Sequence, residues 1–228
     1  TSSDLLLFTD FRYIEQAGSE SPHMSIIRIR DGYRSLSETI AKLSLRSVAF
    51  EPNHITYAEH KSVSESLSGD VSFTPVLNIV EELRCEKDDF EIEILSEAVR
   101  IADIAMAEAA NYLQVGIREC DVSEVIESAL KSAGAIGTAF DTIVASGPNS
   151  ALPHHKAGNR LISKGDSVVI DMGALYKDYR SDLSRTYFVG DSDRSKFDEI
   201  YGIVLEAQMA AEESARPGMV GRELDAVA

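Results

Sequence analysis

The run from Ser167 to Gly190 places two β-forming segments around a short polar stretch, and it constrains the fold more than any other part of the chain. It predicts a β-hairpin. With Tyr176 and Lys177 as a two-residue turn, Leu175 opposes Asp178, and counting back along both strands sets Asp171 directly opposite Asp182 on one face. Cβ atoms in such a pair lie roughly 5 Å apart. Like charges so placed repel, which makes sense if a cation lies between them or if one carboxyl is protonated; the cation is the simpler answer. A register slipped by one would send the carboxylates to opposite faces, and the hairpin alone leaves both outcomes open.

Three flanking features favour a shared face. Val168, Val169 and Ile170 make the first strand apolar, so Asp171 ends a core strand where an unpaired charge is costly. Thr186, Tyr187, Phe188 and Val189 are good β-formers that pin the pairing. Upstream, a Gly147-Pro148 turn leads to His154 and His155, and a histidine near a metal can bind a ligand or meet a developing charge.

The 228 residues suffice for one large core or two smaller ones. A formal charge of −16, from 38 acidic and 22 basic residues, argues against nucleic acid as a partner, because that affinity depends on clustered Lys and Arg. No stretch approaches the roughly 20 apolar residues of a membrane span, and Thr1-Ser2-Ser3-Asp4 lacks the features of a signal peptide. The expectation is a cytoplasmic protein with no membrane partner. Cys85 and Cys120 lack metal-site or redox spacing and are expected as buried bystanders.

Along the chain, Leu5–Phe8, Met24–Ile29 and Val48–Phe50 read as strands, and Ser35–Leu45 and Thr56–Leu67 as helices, giving a small α/β layer. The Ser68–Pro75 stretch breaks this pattern, so a domain boundary is expected near residue 75, separating 1–75 from 76–228. Asp88 and Glu91 fit a capping box opening a long helix with an apolar face at Phe90, Ile94, Leu95, Ala98, Ile101, Ala102 and Ala105, stopped near Gly116. A second helix is expected from Asp121 to Gly134, a strand from Phe140 to Ala145, and a third helix from Ser195 to Ala215. Helices alternating with antiparallel strands indicate an α+β class. The closing residues from Gly221 to Ala228 read as the first turns of a helix cut short, and the chain is expected to be truncated at both ends.

These residues resemble the aminopeptidase P and prolidase family of metal-dependent peptidases, whose catalytic domain has the pita-bread fold. Residues 9–17 resemble part of the family's creatinase-like N-terminal domain. Residues 80–87 and 91–95 resemble the entry to its catalytic domain, and Phe140 to His154 with Asp171 to Thr186 resemble its active-site strands. The resemblance implies part of a small α/β creatinase-like domain followed by part of a pita-bread domain. It makes Asp171 and Asp182 the first two ligands of a two-metal site, and His154 the histidine that supports the substrate carbonyl or the tetrahedral intermediate. His155 is expected as a packed or solvated neighbour, and His23, His54 and His60 lie outside the matching motifs.

The resemblance also calls for a further histidine and two glutamates from later strands. No histidine follows His155, and Glu206, Glu212, Glu213 and Glu223 fall on predicted helices, so none is promoted to a ligand. Two divalent ions are implied, manganese first with cobalt or zinc as alternatives, and a metal-bridging hydroxide would attack the peptide. The implied substrate is a peptide with proline in second position, taken by an Xaa-Pro aminopeptidase or dipeptidase that forms a homodimer at full length. The fragment itself is expected to be inactive. The rival expectation is a metal-free pita-bread binding module or a creatinase-type amidinohydrolase, and retention of both aspartates counts against it.

Overall fold

The computed structural model describes residues 4–30 and 32–228, so the first three residues of the chain's opening segment lie outside it. The chain forms two compact units, residues 1–86 and 87–228. The expected boundary near residue 75 coincides with the last residue of a strand in the first unit.

In the first unit, β1 (Leu6–Thr9) and β2 (Ser25–Arg28) pair in parallel across helix α1 (Ile14–Glu20), since a parallel pair requires such a crossover. Helix α2 (Arg34–Lys42) follows. A second parallel pair, β3 (Ser47–Phe50) and β4 (Ser72–Pro75), spans α3 (Tyr57–Ser66), and α4 (Ile79–Cys85) closes the unit. Thr56 and Glu59 start α3 with a reciprocal capping box, in which each side chain accepts from the other's backbone amide. His60 packs against Phe50 and Phe73, with ring centroids 4.9 and 5.4 Å away. Cys85 is exposed, contrary to the expected burial, because α4 buries none of its residues.

The second unit opens with α5 (Asp89–Tyr112), whose predicted capping box is present: the Asp88 carboxylate accepts from the Glu91 amide and the Glu91 carboxylate from the Asp88 amide, both at 2.8 Å. Its buried face runs Ile94, Ala98, Ile101, Ala102, Ala105, Met106 and Ala109. Phe90 was expected on that face but is exposed, lying in the first turn before the packed stretch begins. Helix α6 (Glu119–Ser132) starts two residues earlier than predicted and buries Val122, Ile126 and Leu130.

These two helices share one core with a three-stranded antiparallel sheet. Its central strand β7 (Ser167–Met172) lies between β6 (Ile143–Ser146) and β10 (Leu183–Phe188). Burial alternates along β7: Val168, Ile170 and Met172 face the core, and Ser167, Val169 and Asp171 face away, half-exposed. Asp171 is thus the penultimate residue of a core strand, as the sequence predicts, with its side chain on the face away from the helices. A second sheet joins β8 (Ala174–Tyr176) to β5 (Gly137–Thr138) and β9 (Tyr179–Arg180).

Only Gly173 separates β7 from β8. A Cβ there would lie 1.9 Å from the Ser181 carbonyl oxygen and 2.9 Å from the Ala139 Cβ, so the backbones approach more closely than any side chain allows. Helix α7 (Ser195–Ser214) carries Glu206, Glu212 and Glu213, and the short α8 (Gly221–Asp225) carries Glu223; these glutamates are helical, as the sequence predicts. Among the described residues no helix is long and apolar enough to cross a membrane.

Candidate metal centre and its neighbouring loop

The hairpin turns at Lys177 and Asp178, one residue later than predicted, and both have positive φ, +45° and +68°. Such a two-residue turn needs left-handed backbone at both central positions, which Asp tolerates and the bulky Tyr176 does not. Tyr176 accordingly pairs with Tyr179 in the strands. The displacement corrects the register: Asp171 opposes Ser184, not Asp182, and by the same count Asp182 falls opposite Gly173. A shift of two keeps every side chain on its face, whereas a shift of one would not. Asp182 lies two residues from Ser184, so it shares the face of Asp171 as a diagonal neighbour.

The electrostatics bear out that proximity. The pKa of Asp171 is raised, first by burial, then by the Asp182 charge and by a hydrogen bond with the Asp182 carboxyl; the Ser184 hydroxyl, donating to Oδ1 at 2.9 Å, opposes the rise. Two hard oxygen donors under mutual repulsion fit a divalent cation. Among the described residues no cluster of three or more His, Cys, Asp or Glu side chains is arranged to hold a metal ion.

His154 follows the 3₁₀ turn Gly147–Ala151 and is exposed, and no hydrogen bond among the described residues ties it to either aspartate. His155 is packed, with its side chain 15% exposed and Nε2 2.8 Å from Glu119 Oε2. Glu119 is the residue that the sequence does not reveal. It opens α6, is fully buried, and has no feature that distinguishes it from the other acidic residues until its partners from distant segments come together.

Oε1 of Glu119 accepts from the Ser146 amide at 2.8 Å, the Ser146 hydroxyl at 2.7 Å and Asn149 Nδ2 at 2.9 Å. Oε2 faces His155 and accepts from the Gly158 amide at 3.3 Å. Burial pushes this carboxyl's pKa up, but Ser146, Asn149 and His155 outweigh it and hold it at about 2. Arg160 stands behind, donating from Nη1 to Ser146 Oγ at 2.5 Å and to Asp166 at 2.6 Å. Asp166, although burial opposes its charge, is held low by Arg160.

Comparison with known proteins agrees with this architecture. Residues 93–228 match metallopeptidase family M24, and residues 1–85 match the creatinase/prolidase N-terminal domain. The chain is 41% identical over 221 residues to a Bacillus subtilis protein described as the uncharacterized peptidase YqhT, covering 96% of this chain and 62% of that protein. It is 48% identical over 156 residues to the Xaa-Pro dipeptidase of Pyrococcus furiosus, covering 68% and 44%. Among solved structures, an Xaa-Pro dipeptidase from Bacillus anthracis superposes with a TM-score of 0.94 at 38% identity, covering all of this chain and 63% of that one. An X-Pro aminopeptidase from Thermotoga maritima superposes with a TM-score of 0.89 at 34% identity, with the same coverage. The chain thus spans less than two thirds of the length of these relatives. With part of a pita-bread domain following a creatinase-like one, the chain belongs to metallopeptidase family M24.

Proposed function

We propose that the full-length protein is a divalent-metal peptidase that removes the residue preceding proline at the N-terminus of a peptide. The observation that carries this reading is the Asp171–Asp182 pair: two acids on one sheet face, near enough to hydrogen-bond, at a cost in repulsion that a cation would remove. Asp171 and Asp182 would be two of the metal ligands, and Ser184 orients the Asp171 carboxylate by its hydrogen bond to Oδ1. When bound, divalent ions supply Lewis acidity at the scissile carbonyl and a nucleophilic water at neutral pH. His154, exposed on its loop, would donate to the substrate carbonyl oxygen as negative charge develops there.

Proline supplies the logic of the substrate. Its nitrogen carries no hydrogen, so a protease that grips an extended strand through that donor handles an Xaa-Pro bond poorly. A site that instead polarises the carbonyl between ions and an imidazole has no need of the missing N–H. Manganese suits the oxygen-rich donors best, with cobalt and zinc as alternatives. Further ligands would come from sequence matching the remaining length of the relatives, and residues 1–228 alone would be inactive. The full-length enzyme would be a cytoplasmic homodimer.

Metal analysis and peptide hydrolysis by the full-length protein test this reading. Bound divalent ion and cleavage of Xaa-Pro peptides are expected, with Xaa-Pro dipeptides assayed against Xaa-Pro-Yaa tripeptides to separate dipeptidase from aminopeptidase. Absence of bound ion, or ion binding unaltered in Asp182→Ala, would favour a metal-free binding module or a creatinase-type amidinohydrolase.

A further inference from the structure

The Glu119 carboxylate takes no part in the chemistry above, yet its five donors all come from the segment that carries His154. Ser146 and Asn149 precede that histidine, and His155 and Gly158 follow it. We propose that Glu119 and His155 are positioning residues, which together clamp both sides of the His154 loop and present its imidazole in one orientation. This inference rests on the assignment of His154 as the group that meets the substrate carbonyl.

The clamp follows from the chemistry of its members. An ionised carboxylate accepts and cannot donate, so His155 must carry its proton on Nε2 to hydrogen-bond there at 2.8 Å. The single hydroxyl proton of Ser146 is committed to Glu119, and its oxygen is then free to accept from Arg160. The hydrogen-bond direction is thus fixed from Arg160, which also donates to Asp166, through Ser146 to Glu119. A buried charge is costly unless its donors are in place, so the loop cannot leave this arrangement without exposing an unsatisfied carboxylate. Between the anchored side chains of Asn149 and His155 lie five residues, of which Ala151, Leu152, Pro153 and His154 are exposed. One peptide bond joins the anchored His155 to His154, so holding the first fixes the backbone from which the second ring extends.

The test uses the full-length, metal-loaded protein and the variants His155→Ala and His155→Gln. A glutamine amide nitrogen can reach the place of Nε2 and donate to Glu119, which alanine cannot. The alanine variant is expected to lose about 10²-fold in kcat while KM and bound metal stay within about threefold, and glutamine to recover most of the loss. Carbon-13 relaxation of the His154 ring gives a readout independent of turnover: ring order falls in His155→Ala and returns in His155→Gln. Equal ring order in all three proteins overturns the clamp, as does an alanine variant with unchanged kcat, one whose loss follows metal content, or a glutamine variant as impaired as alanine. A wild-type protein that cleaves no Xaa-Pro peptide would defeat the proposed function instead, and ring relaxation would still decide the clamp.

Discussion

Two carboxylates in the same unit, Glu119 and Asp171, have opposite fates. Glu119 is fully buried and would be expected to suffer most, yet five donors converge on it and its pKa falls to about 2. Asp171 is only half-buried, accepts one hydroxyl, lies beside another acid, and its pKa rises. Burial alone therefore does not decide how a charge fares; the supply of donors does. The first site is completed by the chain's own groups. The second retains acceptor capacity beside a second acid, which is what the proposed metal site requires.

The sharpest way to break that contrast is to remove a charge from each site in turn. In the full-length protein, Asp182→Ala is expected to cost about 10³-fold or more in kcat/KM, corresponding to several kcal/mol of lost Lewis-acid stabilisation, together with bound metal. Glu119→Gln should leave metal content in place, as measured by elemental analysis. Stability should respond the other way. Glu119→Gln sets an amide against donors that need an acceptor and is expected to lose about 3 kcal/mol in urea unfolding. Asp171→Asn in metal-free protein relieves repulsion and should gain about 0.5 kcal/mol, a small figure because the site is partly solvated.

The pH dependence of stability sharpens the comparison further. Glu119 titrates near its ordinary 4.5 when unfolded and near about 2 when folded, so its contribution is complete above about pH 4.5 and disappears as the pH falls toward 2. Asp171 has the opposite sign. Its folded pKa lies above the ordinary 3.8, so the folded state holds the proton more tightly, and its contribution declines as the pH rises through that raised value. Urea midpoints of the metal-free protein measured across the acid range should show the first slope vanish in Glu119→Gln and the second in Asp171→Asn.

A small effect of similar size tests the register. Replacing Lys177 and Asp178 with Asn-Gly suits a turn that has positive φ at both positions, and should stabilise by about 0.5–1 kcal/mol in the same assay. Were the turn at Tyr176 and Lys177, the same change would put glycine into a strand and destabilise it.

That register shows where sequence is informative and where it is not. The capping box at Asp88 and Glu91 is legible because both partners lie within one turn of chain. The hairpin is legible from its β-formers, but its turn depends on which residues accept left-handed backbone, and Tyr176 is a poor candidate that strand patterning alone does not reject. The shared face of Asp171 and Asp182 survives that error because faces repeat every two residues. His155 is packed, as expected, but its partner Glu119 is 36 positions away. Glu119 has no local signature at all: its role is defined by Ser146, Asn149, His155 and Gly158, which only folding brings together.

Gly173 has a wider consequence. It is a corner at which the chain passes from one sheet into another, directly across from the Ser181–Asp182 link by which the return arm crosses back. A methyl group added there would collide with the Ser181 backbone on the opposite arm, and the chain could escape only by parting the two arms next to Asp182. The spacing of the two acids is thus set by an atom too small to count as a side chain, and mutational drift at this codon would be felt first at the charged pair.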